Sequence, residues 1–200
     1  MEVIFTDIYE KNIWGHDGTK SYNGSSGGGS EISYNDSVYI PFLKKFITEN
    51  NIKTVVDLGC GSFKCGSLIY NELDILYTGY DTYNKIITYN SEIYERPKYT
   101  FINLDFYSNK DKILDGDLCI LKDVIQHWMM DEIYTFLDYL TENKKFKYII
   151  ICNCSNQTVD NPINTTRSTP LSTQYLPLKK YNIKKLFTYN TKEVSLIERV

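Results

Sequence analysis

The chain has 200 residues, 42% of them hydrophobic, and a formal net charge of −3. That length suits one domain able to bury a core without disulfides or metals, and the acidic balance leaves no global positive field to hold a long polyanion, so nucleic acid is a disfavoured partner. Five cysteines lack the paired spacing of a zinc site, and no run approaches the ~20 apolar residues of a membrane span, which together predict no metal, reduced thiols and no membrane partner.

In chain order, the Gly/Ser-rich stretch 15–30 follows only 14 residues, too few for a domain that a linker would join. It reads instead as a mobile loop that closes over a ligand, with Trp14 as its anchor, and residues 1–35 are taken as an N-terminal segment ahead of a core at 36–200. From Asp36 to Asn50, Tyr39, Leu43, Phe46 and Ile47 fall at helical spacing, with Pro41 early enough for the first turn. Thr54 to Leu58 is a β-branched apolar run that ends in the turn Gly59-Cys60-Gly61. Ser62 is placed to cap a short helix through Tyr70, and Leu76 to Asp81 reads as a second strand ending in a carboxylate. A helix carrying Ile86, Ile87 and Tyr94 follows, ended by Pro97.

The third strand is expected at Tyr99 to Phe106 and the fourth at Asp117 to Lys122. Ile133, Phe136, Leu137 and Leu140 mark an amphipathic helix before a fifth strand from Lys147 to Cys152. Strands alternating with helices predict an α/β fold, a Rossmann-like, doubly wound and mostly parallel sheet. Residues 155 to 183 are polar with no period and read as a long loop. Lys185 to Tyr189 and Glu193 to Val200 flank a polar turn and predict a C-terminal antiparallel hairpin. The paired lysines, such as Lys44-Lys45 and Lys184-Lys185, are scattered and read as solvated element ends rather than a basic stripe.

A glycine turn directly after a buried strand lets backbone N–H groups approach a ligand, and points to a nucleoside cofactor. Dinucleotide binding would want G-x-G-x-x-G, but Lys64 stands where the third glycine belongs. Asp81, about 20 residues after the glycines, is placed to take both hydroxyls of a ribose, a feature that serves NAD and S-adenosylmethionine equally.

The segment DLGCGS, followed in order by GYD, NLDF and LKDVIQHW, resembles class I S-adenosylmethionine-dependent methyltransferases. With the Gly/Ser stretch after Trp14, it is similar to a small single-domain group of bacteria and large viruses. In that group an Asp commonly follows the glycine turn, where this chain has Ser62. The resemblance implies S-adenosyl-L-methionine as cofactor and S-adenosyl-L-homocysteine as product; the reduced thiols and the lack of a signal or membrane segment predict a cytoplasmic location, that of a host for a viral source. The resemblance also implies that Gly59, Cys60 and Gly61 line the methionine portion and ribose, with Asp57 near the amino-acid end. Asp81 would accept from the ribose hydroxyls, Asp105 would receive the adenine amino group and Phe106 would cover the ring, with Trp14 and Lys122 completing the cofactor set.

Methyl transfer from a sulfonium needs alignment and water exclusion above all, and a base only where the acceptor is a neutral hydroxyl. Asp123 and His127, just after the fourth strand, are the catalytic candidates, each with a structural reading beside it: a strand-end carboxylate, and a histidine that packs at the next helix. His16 in the glycine loop is a weaker one. Asn153, Arg167 and Gln174 lie at or beyond the fifth strand, where an acceptor would be recognised, Arg167 as a clamp for a phosphate or carboxylate or as a surface residue. The expected activity is O-methylation of a small polar acceptor such as a sugar or nucleotide-sugar. A protein or RNA-cap methyltransferase, a non-catalytic binding protein and an NAD-dependent oxidoreductase are the alternatives.

Overall fold

The structure is a computed structural model and describes residues 1–160 and 167–199. Residues 161–166 of the expected long loop, and Val200 of the expected hairpin, lie outside them. The chain forms two compact units, Met1–Ile113 and Leu114–Val200.

The first unit opens with a helix, α1 (Glu2–Glu10), that the sequence reading did not anticipate. Ile4, Phe5, Ile8 and Tyr9 do fall at helical spacing, but only Tyr9 is buried and nine residues are a short run for that period to stand out. After the loop come α2 (Ile32–Asn35) and α3 (Tyr39–Glu49), the latter burying Tyr39, Ile40, Leu43 and Ile47 along one stripe. Parallel strands β1 (Thr54–Leu58), β2 (Leu76–Asp81) and β3 (Tyr99–Asn103) pair in the order β3-β2-β1, with α4 (Lys64–Tyr70) and α5 (Asn84–Ile93) as the crossovers. Their register sets Leu58 beside Tyr80 and Asp81 beside Asn103, so the strand ends are level.

The end of the third strand and the cap of α4 differ from expectation, while other element ends differ by up to three residues. β3 stops at Asn103, which puts Asp105 and Phe106 in the turn beyond it. The cap of α4 is Phe63 and not Ser62. Phe63 takes a left-handed backbone so that its ring enters the aromatic core among Tyr70, Tyr77, Tyr94, Tyr99 and Phe101, all within about 6 Å between centroids. Burial of that ring decides the local conformation, against the intrinsic preference of serine for the cap.

In the second unit, β4 (Gly116–Lys122) pairs parallel with β5 (Phe146–Cys154), and α6 (Met130–Glu142) connects them. β6 (Ile183–Tyr189) and β7 (Lys192–Glu198) form the expected hairpin, antiparallel to each other, and β7 is antiparallel to β5. Asn190 in the turn has φ 48°, a conformation that asparagine tolerates in tight hairpins. β5 is buried from Tyr148 to Asn153, which explains its near-continuous apolar run. The seven strands follow the order β3-β2-β1-β4-β5-β7-β6, a mostly parallel α/β sheet with an antiparallel C-terminal hairpin, as the sequence predicts.

Candidate functional site

In the first unit the site is built on the turn that follows β1. Gly59 and Gly61 have φ of 87° and 51°, a region that a Cβ disfavours. Three side chains from distant elements clamp this turn. The Gly61 N–H donates to Asp81 Oδ2 (3.1 Å), the Gly61 carbonyl accepts from Asn90 Nδ2 on α5 (2.7 Å), and the Ser62 N–H donates to Ser26 Oγ (3.0 Å). Asp81 also accepts the Tyr83 N–H at Oδ1 (3.0 Å). Asp81 is 8% exposed, and burial raises its pKa against the lowering effect of these backbone donors. A carboxylate offers about four lone-pair directions, so the backbone bonds do not exhaust it.

The loop at 15–30 lies on this turn. Ser26 Oγ is also 3.0 Å from Tyr9 Oη, and the Tyr9 ring stacks on Tyr83 at 4.5 Å. Tyr22 of the loop is buried with Tyr9, Tyr83, Ile86 and Ile87, with Cys60 packed against them. Lys64, the residue that breaks the dinucleotide pattern, is ion-paired with Asp17 (3.6 Å) and Glu31 (3.3 Å) of the N-terminal segment. Glu10 ties α1 to the start of α5 through Tyr83 (2.8 Å) and Lys85 (2.7 Å), which with Asn23 hold its carboxyl down at about 2. Trp14 packs its ring on Phe5 and Tyr9. His16 is exposed and accepts the Gly18 N–H.

A Cβ on Gly61 would sit 2.6 Å from Ser26 Oγ. Gly61→Ala therefore has to displace the loop and hold a left-handed backbone, and is expected to cost about 1–3 kcal/mol in a urea titration. A stability within 0.5 kcal/mol, roughly the scatter of neutral surface substitutions, would contradict this packing.

The other carboxylates of the expected cofactor set have partners. Asp57 accepts from Tyr77 Oη (2.9 Å). Burial, reinforced by the charges of Asp81 and Asp57, pushes the Cys60 thiol up, so it is no ready nucleophile. Asp105 accepts from Ser108 N (3.2 Å) and Oγ (3.0 Å) and from the Met1 amino group (3.0 Å). Phe106 is buried beside it in sequence.

The second unit gathers the remaining candidates around the ends of β4 and β5. Asp123, with φ 60°, leaves β4 and its carboxylate meets two ammonium groups, Lys122 Nζ at 2.8 Å and Lys192 Nζ. Burial opposes its charge, but the two lysines outweigh burial and hold the carboxyl below its ordinary range. Lys192, at the start of β7, also lies 3.6 Å from Cys154 Sγ. Sequence reading missed Lys192, since a lysine after a hairpin turn carries no signal of burial.

His127 is held by a network that defines its tautomer. Gln126 Oε1 accepts the Cys154 N–H (2.8 Å), which directs the Gln126 amide nitrogen to His127 Nε2 (3.2 Å). Nε2 is then the acceptor, and Nδ1–H donates to the Arg167 carbonyl (3.1 Å). Burial pushes this imidazole below its ordinary pKa, so it is neutral at neutral pH. The Arg167 guanidinium makes a two-pronged pair with Glu132 of α6, both contacts 2.7 Å, and Glu132 also accepts the Met129 N–H that opens the helix. Gln174 is exposed. Asn153 on β5 is 1% exposed.

Among the described residues no group of three or more His, Cys, Asp or Glu side chains is arranged to hold a metal ion. Among them, too, no helix is long and apolar enough to cross a membrane.

No protein-family model matches the sequence, and no curated protein matches it. Solved structures match its fold. The methyltransferase domain of bacterial CtHen1-C superposes with a TM-score of 0.65 at 14% identity, over 84% of this chain and 98% of that one. Human N-acetylserotonin methyltransferase, solved in complex with SAM, gives 0.60 at 15% identity over 82% of this chain and 52% of that one. The mitomycin 7-O-methyltransferase MmcR gives 0.59 at 13% over 82% and 55%. The chain thus spans about half the length of the last two. It has the class I methyltransferase fold.

Proposed function

We propose that this chain is an S-adenosylmethionine-dependent methyltransferase acting on a hydroxyl of a small polar acceptor such as a sugar or nucleotide-sugar. The observation that carries the reading is the buried Asp81 at the carboxyl end of β2, bonded to the N–H of a glycine turn after β1. In open α/β sheets ligands bind outside the carboxyl ends of the strands, and an acid at this place suits a ribose. Two neighbours in fold support the reading, one named as a 7-O-methyltransferase and one solved with SAM.

The residues fit the cofactor. Gly59 and Gly61 leave the turn without side chains, Asp81 retains acceptor capacity for ribose hydroxyls, and we propose Asp57 for the amino-acid end. Trp14, Cys60, Asp105, Phe106 and Lys122 complete the proposed set. S-adenosylmethionine, when bound, supplies an electrophilic methyl group on a sulfonium. The protein's part is to align the acceptor and exclude water.

Of the two base candidates, His127 is the neutral one, its Nε2 lone pair open to an acceptor hydroxyl once the Gln126 amide gives way, while Asp123 is a charge fixed by Lys122 and Lys192. We assign the base to His127 and an orienting charge to Asp123. Asn153 and Arg167 belong to the acceptor side, Arg167 through the Glu132 pair that orders the chain at 167–171.

Calorimetric titration of the pure protein with S-adenosylhomocysteine, S-adenosylmethionine and NAD tests the reading. Micromolar binding of both adenosyl compounds and none of NAD is the expected result. Binding of NAD alone, or of none of the three, would overturn it.

A further inference from the structure

Asn153 is the one side chain among the described residues with both carboxamide atoms buried and without a hydrogen-bond partner. Its ladder partner and its chain neighbour have partners of their own. Its register partner on β7, Glu193, is 3% exposed, accepts the Thr173 N–H (2.7 Å) and Ser172 Oγ–H (3.1 Å), and lies 3.5 Å from Lys185 Nζ. The next residue, Cys154, gives its N–H to Gln126 Oε1 and takes the Leu171 N–H at its carbonyl (2.7 Å). Thr169 N–H goes to the Gln126 carbonyl (2.8 Å). With those groups paired, the carboxamide keeps two donors and an acceptor without a partner in the protein.

We infer that the Asn153 carboxamide recognises an uncharged hydroxyl pair, the vicinal diol of a sugar, on the methyl acceptor. This inference rests on the methyltransferase reading and specifies its substrate. A diol offers one hydroxyl to donate to Oδ1 and one to accept from Nδ2. The carboxamide presents donors and an acceptor together, which a diol matches on both sides, whereas a phosphate or carboxylate, all acceptors, would engage Nδ2 alone. Because Asn153 is 1% exposed, the segment 169–173 that bonds to Gln126, Cys154 and Glu193 has to lift for a ligand to enter.

The test uses the near-isosteric Asn153→Leu, with Asn153→Ala as a second variant should leucine prevent folding. Thermal unfolding is measured without ligand, S-adenosylhomocysteine affinity by calorimetry, and methyl transfer on a panel of pyranosides and nucleotide-sugars, each beside its monodeoxy analogue. In the native protein a diol acceptor should outrun its deoxy analogue by roughly a hundredfold or more, because the missing hydroxyl leaves a buried amide unpaired. Asn153→Leu is expected to raise the midpoint of unfolding, keep S-adenosylhomocysteine affinity within about twofold, and reduce that preference at least about tenfold. Asn153→Ala should lose the same preference.

A lower midpoint for Asn153→Leu would mean that a buried water satisfies the amide as part of the fold, and overturns the inference. So would an unchanged preference, or a protein that binds S-adenosylhomocysteine but methylates none of the diols. Failure to bind S-adenosylhomocysteine at all falls on the methyltransferase reading instead.

Discussion

Asp81→Ala is expected to weaken S-adenosylhomocysteine binding at least about tenfold, since a hydrogen bond to a charged group is worth about 1.5–3 kcal/mol and 1.4 kcal/mol is a factor of ten. The substitution acts twice. It removes the acceptor proposed for the ribose, and it releases the Gly61 and Tyr83 N–H groups that hold the turn. Asp81→Asn separates the two effects, because its amide oxygen keeps one backbone bond while the charge is lost. Its affinity should fall between those of the native protein and the alanine variant. An affinity unchanged by Asp81→Ala would refute the ribose assignment.

The same residue gives a pH dependence with a definite sign. Burial raises the Asp81 carboxyl above the ordinary aspartate value of about 3.9. The folded state therefore binds this proton more tightly than the unfolded chain does. The contribution to stability is fully present below the ordinary value and lost as pH rises through the folded one. Ribose hydroxyls need the ionised acceptor, so S-adenosylhomocysteine affinity should increase over that window in the native protein and stay flat in Asp81→Asn.

Asp123→Ala is expected to cost about 3–5 kcal/mol in urea unfolding at neutral pH. The Lys192 side chain is 5% exposed, and removal of Asp123 takes away an anion that faces both it and Lys122. The double variant Asp123→Leu with Lys192→Met should recover much of the loss, because two well-packed apolar side chains avoid the desolvation that one orphaned ion cannot. A loss below about 1 kcal/mol, the range of exposed ion pairs, would show that water screens the cluster. The pair also has two pH limits. Asp123 is depressed, so its contribution is present above the ordinary aspartate value and lost as pH falls through the folded one. Lys192 is raised by Asp123 despite its burial, so its contribution is present below the ordinary lysine value and lost as pH rises through the folded one.

The reach of sequence reading can be seen in particular elements. The β-branched run at Thr54 to Leu58, the glycine turn, the alternation of strands and helices and the terminal hairpin are local patterns, and all appear in the fold. Helix α1 has Ile4, Phe5, Ile8 and Tyr9 at helical spacing, but the run is short and buries only Tyr9, so its pattern does not stand out. Ser62 was misplaced as a cap because an aromatic core outweighed a local preference at Phe63. Arg167 reads from the sequence as a clamp or a surface residue, and its guanidinium pairs with Glu132, a residue with no signature of its own.

By itself the sequence determined which chemical groups stand at the ends of which strands, because hydrophobic period and turn chemistry act over a few residues. Only the tertiary structure decided what those groups hold. Gly61 and Asp81 are 20 positions apart, Ser62 and Ser26 are 36, and Lys192 and Asp123 are 69. Burial and ion pairing among residues that far apart are created by folding, and they turn an acid at a strand end into a clamp on a glycine turn and a hairpin lysine into a buried counter-ion.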